Sequence, residues 1–240
     1  ALGSRGAVLK NPYCDDPHNY GILRTSADDL KYYAKEIAEM GFQMNTHAIG
    51  DSTVSVLLNE YKKVLREIDD PRWRIEHSQV VDVNEFELYN DKILPSIQPT
   101  HATSDMYWAY DRLGSRIKGA YAFKDLLKSS NRVALGTDFP VEKVNPFHTF
   151  YSSVERKDLK GYPENGFQME NSLSREETLK GMTIWGAYFN FEEHEKGSLE
   201  VGKSADFVVL NQNIMEVEAD LIPNTEVLQT YIDGELVYSK

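Results

Sequence analysis

Residues 41–51 read GFQMNTHAIGD. Phe42, Met44 and Thr46 alternate with Gln43, Asn45 and His47, the period of a strand in which neighbouring side chains face opposite ways. The first set can turn toward covering helices, which leaves His47 on a face with Gln43 and Asn45. Upstream, Ser26 is placed to cap a helix with Asp28 and Asp29 in its first turn. Ala27, Leu30, Tyr33, Ala34, Ile37 and Ala38 fall at helical spacing, and Gly41 stops the run. Downstream, Asp51 is expected to cap a second helix with an apolar stripe of Val54, Leu57, Leu58, Tyr61, Val64 and Leu65. Helix, strand and helix in this order are the βα units of a parallel sheet.

The rhythm recurs along the chain. RWRIEH (72–77) reads as a strand ending at His77, and VNEFELYND (83–91) as a helix. ILPSIQ (93–98) reads as a strand weakened by Pro95, which removes a ladder donor. Helix is expected from about 103 to 129, with a break near Gly114. RVALGTD (132–138) reads as a buried strand ending at Asp138, and a helix follows Pro146. Ser174 and Glu177 form a capping-box start for helix to about 188. After Gly197 the text changes to the short strands ADFVVL, EVLQTYI and ELVYSK, the last two joined by a hairpin at Asp233-Gly234. The expected organisation is a βα region over 1–195 and a β unit over 196–240.

The 240 residues are 41% hydrophobic and 27% charged, an ordinary soluble composition. No apolar run reaches the length of a membrane span. A formal charge of −12 argues against nucleic acid and anionic membrane as partners, since phosphate binding needs clustered Lys and Arg. The single cysteine, Cys14, excludes a disulfide framework and a Cys-rich zinc module, and it suits a reducing, cytoplasmic location.

His47, His77, His101 and Asp138 each fall at or just past the end of an expected strand. In parallel α/β folds those ends and the loops after them build the active face. Imidazole and carboxylate are the usual ligands of zinc, iron or manganese. A lone strand-end histidine is ordinarily a hydrogen-bonded structural residue; joint placement is what lifts this set. His18 and His194 lie in loop-like text and read as solvated, and Cys14 as an incidental thiol.

Five segments together resemble the amidohydrolase superfamily, in the amidohydrolase-3 branch similar to N-substituted formamide deformylase. They are THAIGD (46–51), RIEHSQ (74–79), SIQPTHATSDMYW (96–108), ALGTDFPV (134–141) and GSLEVGKSADFVVL (197–210). The opening ALGSRGA resembles that branch's segment after the fourth barrel strand. The resemblance implies an α/β fold: the C-terminal half of a metal-dependent hydrolase TIM (β/α)8 barrel, strands five to eight, plus part of a small composite β-sandwich. It implies a divalent metal, zinc above all, one or two ions in the complete enzyme. His47 and His77 would be ligands from the fifth and sixth strands. Asp138 would touch the metal and act as general base toward the activated water. His101 and Arg5 would meet the substrate, His101 near a developing oxyanion.

The same family uses a His-x-His pair on the first strand and a lysine on the fourth, and neither is in these 240 residues. The expectation is therefore a hydrolase of amide-type, non-peptide carbon–nitrogen bonds acting on a small molecule. It would be present as a C-terminal portion and completed by an N-terminal half or a second chain. The alternative is a catalytically incompetent or regulatory protein of the same fold, without metal, folding alone or by pairing with a copy of itself as a homo-oligomer.

Overall fold

A computed structural model describes residues 1–240 and divides them into two compact units: Ala1–Ile97 with Ser104–Val133, and Gln98–Thr103 with Ala134–Lys240. The first holds α1 (Ala27–Glu39), β1 (Asn45–Ala48), α2 (Asp51–Val64), β2 (Trp73–His77) and β3 (Ile93–Ile97). The helix α3 (Pro99–Asp105) is shared by the two ranges, and α4 (Ala109–Leu113) and α5 (Phe123–Ser130) complete the first unit. The second holds β4 (Ala134–Leu135), α6 (Pro146–Glu155), α7 (Arg175–Met182), α8 (Ile184–Phe189), β5 (Phe207–Leu210), β6 (Val227–Ile232) and β7 (Glu235–Ser239). The expected boundary at 195/196 falls inside the second unit. No helix is long and apolar enough to cross a membrane.

In the first unit β1, β2 and β3 run parallel, with Asn45 opposite Arg74 and Trp73 opposite Ile93. Parallel strands are covered on both faces, and Ile75, Ile93, Leu94 and Ile97 are buried accordingly. Pro95 is tolerated inside β3, opposite Ile75. Thr46 turns toward α2, where its hydroxyl meets the Tyr61 hydroxyl at 2.6 Å. Tyr61 packs edge-on against Trp73 with ring centres 4.8 Å apart. Ser26 caps α1 as expected, its Oγ accepting from the Asp29 N–H. Phe42 and Tyr33, read as core-facing, are instead exposed. Phe42 precedes β1, and α1 buries only Leu30 and Ala34.

Three other expectations are corrected. Gly50, not Asp51, is the N-cap of α2. A Cβ on Gly50 would lie 2.0 Å from the Val8 carbonyl oxygen, so the N-terminal segment rests directly on the start of α2. Asp51 is buried inside the first turn, and its carboxylate accepts from the Lys10 N–H at 2.9 Å. Residues 83–91 form only a 3-10 turn at Phe86–Leu88, because Tyr89 leaves the helical path to bury its ring and donate to Ser78 Oγ. The helix expected from about 103 to 129 does break at Gly114, whose φ is +56° and whose α-carbon side is filled by Cys14 Sγ, but it is further divided into α3, α4, a 3-10 stretch and α5.

In the second unit the strand expected over 132–138 shortens to Ala134–Leu135. The Ser174–Glu177 capping box starts α7, which breaks from α8 at Thr183. On α6, Phe150 and Tyr151 enclose Ile222, with Val154, Met182, Ile214 and Val217 packed around them. β5, β6 and β7 form an antiparallel sheet in which Phe207 stacks on Tyr231 at 4.4 Å. The β6–β7 turn has positive φ at Asp233 and Gly234, as a two-residue hairpin of right-twisted strands requires.

Gly50→Ala is expected to destabilise the chain by about 1–3 kcal/mol through overpacking, read as a lower urea midpoint; an unchanged midpoint would mean that Val8 does not press on Gly50. Burial is the largest influence on the Asp51 carboxyl and holds its pKa above the ordinary value. Below the unfolded value, about 3.9, the group is protonated in both states. As pH rises through the raised folded value, the folded state must give up a proton it holds more tightly, so this group's contribution to stability declines. Asp51→Asn keeps an acceptor for Lys10 and should gain stability relative to the unaltered chain as pH rises from 4 to 7. Parallel pH dependences of the two proteins would contradict this.

Candidate functional site

The ladder between β1 and β2 sets His47 opposite Glu76 and Ala48 opposite His77, at the C-terminal ends of adjacent parallel strands. The His47 and His77 rings meet edge to face, with centres 4.5 Å apart and planes at 76°. His47 is exposed and His77 is buried. Two imidazoles side by side, one of them open to solvent, offer the nitrogen donors that borderline divalent ions select.

His77 and Ser78 take consecutive left-handed conformations, φ +74° and +44°. Side chains with a Cβ adopt such backbone only where the surroundings impose it, and each instance costs about 1–3 kcal/mol. Part of the imposition is local. Ser78 Oγ donates to the Ile75 carbonyl at 3.0 Å and accepts from the Tyr89 hydroxyl at 2.8 Å. Beyond the turn, the Val80 N–H donates to the Ile49 carbonyl at 2.9 Å and binds the strand-end loops together.

In the second unit His101 lies in the first turn of α3, four residues past β3. Its ring stands between two carboxylates: Nε2 is 3.2 Å from Asp138 Oδ2, and Nδ1 is 3.2 Å from Glu142 Oε1. Asp138 has a φ of +59°, so the chain turns sharply just where the carboxylate is presented. Glu142 was not singled out from the sequence, although it lies one turn beyond Asp138 in DFPVE. Nothing in the residue type distinguishes it from the other acidic groups of a −12 chain. His148 stands apart, its pKa lowered by burial and by Lys143.

Arg5, in the first unit, is committed to a carboxylate. Its Nε and Nη2 donate to the two oxygens of Asp15 at 3.1 and 2.8 Å, and Arg112 donates to the same carboxylate. The Arg5 hydrogen bond is the main reason that Asp15 is held below the usual carboxylate range. Arg112 also lies over the Trp108 ring, against which Gly3 packs. His18 and His194 are exposed.

A family model described as the amidohydrolase family matches residues 1–238. The chain is 32% identical to the protein LONG AFTER FAR-RED 3 of Arabidopsis thaliana, over 99% of this chain and 41% of that protein. It is 22% identical to the N-substituted formamide deformylase of Arthrobacter pascens, over 90% of this chain and 40% of that enzyme. Among solved structures, an uncharacterised metal-dependent hydrolase of Pyrococcus horikoshii superposes with a TM-score of 0.78 at 28% identity, over 91% of this chain and 44% of that one. The chain thus spans less than half the length of these curated relatives.

Tyr89→Phe removes the hydroxyl that donates to Ser78 and should cost about 0.5–1.5 kcal/mol of stability in urea unfolding. A variant as stable as the parent would show that the hydroxyl pair does not support the His77–Ser78 turn.

Proposed function

The chain belongs to the amidohydrolase family, and from that premise we propose that it forms the C-terminal part of a metal-dependent hydrolase of amide-type carbon–nitrogen bonds. The observation that carries this reading is the pair of adjacent imidazoles, His47 and His77, at neighbouring parallel strand ends. The donor chemistry fits a divalent ion. We assign β1 to β4 to strands five to eight of a (β/α)8 barrel, and the sheet of β5, β6 and β7 to a composite sandwich. The relatives are more than twice as long, and on this reading further ligands come from sequence outside these 240 residues.

His47, His77 and Asp138 would hold the ion, with zinc the choice best suited to imidazole and carboxylate donors. When bound, it supplies Lewis-acid polarisation of the substrate carbonyl and acidifies water. Asp138 takes the proton of the attacking water and passes it to the departing amine nitrogen. The new C–O bond forms as the C–N bond breaks, and the products are a carboxylate and an amine. His101 donates a hydrogen bond to the developing oxyanion or to Asp138, and Glu142 on its other nitrogen keeps the ring from rotating. Arg5, fixed by Asp15, belongs to the substrate-facing wall. The name of the Arthrobacter relative suggests N-substituted formamides as the first small-molecule substrates to assay.

Metal analysis of the protein completed to the length of its relatives should find a divalent ion, and His47→Ala should reduce its occupancy. Asp138→Asn should lower hydrolysis of an amide substrate at least about 10²-fold while the protein still folds. A metal-free complete protein would overturn the reading, and near-parental hydrolysis by Asp138→Asn would overturn the role of Asp138.

A further inference from the structure

A turn that needs positive φ is cheapest with glycine. At residues 77 and 78 the chain carries His and Ser instead. The histidine is kept at a conformational disadvantage, so contacts elsewhere must hold it. Ser78 and Tyr89 grip the turn at its centre. A second grip lies immediately after it, on Gln79.

Gln79 is buried, and its Nε2 donates both to Asp105 Oδ2 and to the Tyr121 hydroxyl, each at 3.1 Å. The Tyr121 hydroxyl in turn donates to the same Asp105 oxygen at 2.7 Å. The three groups close a ring of hydrogen bonds in which every donor has an acceptor: the amide gives twice, the phenol receives and gives, and the carboxylate receives twice. The backbone repeats the grip, since the Tyr121 N–H donates to the Gln79 carbonyl at 2.8 Å and the Val81 N–H to Gly119 at 2.9 Å. A Cβ on Gly119 would sit 2.0 Å from the Val81 oxygen, so the two segments are pressed together. Tyr121 is itself left-handed, φ +53°, and its ring is buried.

We propose that Asp105 and Tyr121 are positioning residues that act through Gln79 to fix the strained His77–Ser78 turn and thereby aim the His77 imidazole at a divalent ion. The inference rests on the reading of His77 as a metal ligand. Asp105 matters because a carboxylate oxygen can take both donors at once. Tyr121 matters because its hydroxyl takes part in two of the three bonds.

The test is titration of the metal-free protein, completed to the length of its relatives, with Co²⁺, following affinity and the visible absorption that reports ligand geometry. Four variants are compared: His77→Ala, Tyr121→Phe, Asp105→Asn and Tyr13→Phe. Tyr13→Phe is the control, since it removes another buried hydroxyl of the same unit, one that donates to the Ala7 carbonyl. We expect His77→Ala to abolish the site. Tyr121→Phe should weaken Co²⁺ binding about 10-fold or more, as loss of a ligand-orienting partner does, and shift the absorption. Asp105→Asn, which keeps an acceptor oxygen, should recover most of the affinity. Tyr13→Phe should leave both readouts at the parental values. If Tyr121→Phe binds as the parent does, or loses no more than Tyr13→Phe, while His77→Ala abolishes binding, the positioning role is wrong and the metal reading stands. Should Tyr121→Phe fail to fold, Asp105→Ala against Asp105→Asn decides: equal affinities and spectra overturn the proposal. If the parent binds no Co²⁺, or His77→Ala binds it equally, the metal reading falls and the proposal with it.

Discussion

The register of the parallel ladder between β1 and β2 is the constraint on which the first unit's chemistry depends. Hydrogen bonds pair Asn45 with Arg74 and carry the alignment up to Ala48 and His77. Because side chains alternate along a strand, a slip of one residue would send either histidine to the opposite face. Burial enforces the alignment. Thr46 reaches the Tyr61 hydroxyl, Tyr61 rests on Trp73, and Ile75 is wholly enclosed. The imidazole contact at the strand ends is a consequence of that packing below it.

Some of the chain's left-handed backbone falls within the family-like motifs. His77, Ser78, Asp138 and Arg5 all have positive φ without being glycine. Three of them are tied down by polar contacts close at hand: Ser78 by Ile75 and Tyr89, Asp138 by His101, and Arg5 by Asp15. Such conformations persist where surrounding structure over-determines them, and they cluster where side chains must be presented at a fixed angle. Glycine serves the opposite need. Gly50 and Gly119 allow backbone to approach backbone, and any larger residue would push the N-terminal segment or the chain after His77 away.

Charge is handled by sharing. In the second unit one imidazole stands between the carboxylates of Asp138 and Glu142. In the first, one carboxylate, Asp15, receives both Arg5 and Arg112. Each arrangement spends an extra charge to fix an orientation, since the shared group cannot turn without losing a partner. In so acidic a chain, Asp15 is notable for having cations on two sides.

Local pattern determined much of this protein. Alternation from 42 to 47 marked β1, Ser26 and Ser174 marked helix starts, and Asp233-Gly234 marked the hairpin, because each is a contest among near neighbours in the chain. The strand-end places of His47 and His77 followed from the same periodicity. Tertiary contact decided the rest. Tyr89 abandoned a helix to bury its ring, Val8 pressed on Gly50 and moved the cap from Asp51, and Cys14 filled the space beside Gly114. Glu142, Asp105 and Tyr121 gained partners that sequence distance conceals. Periodicity tells which way a side chain points, but not what the fold brings to meet it: a carboxylate beside His101 and one facing solvent are spelled alike.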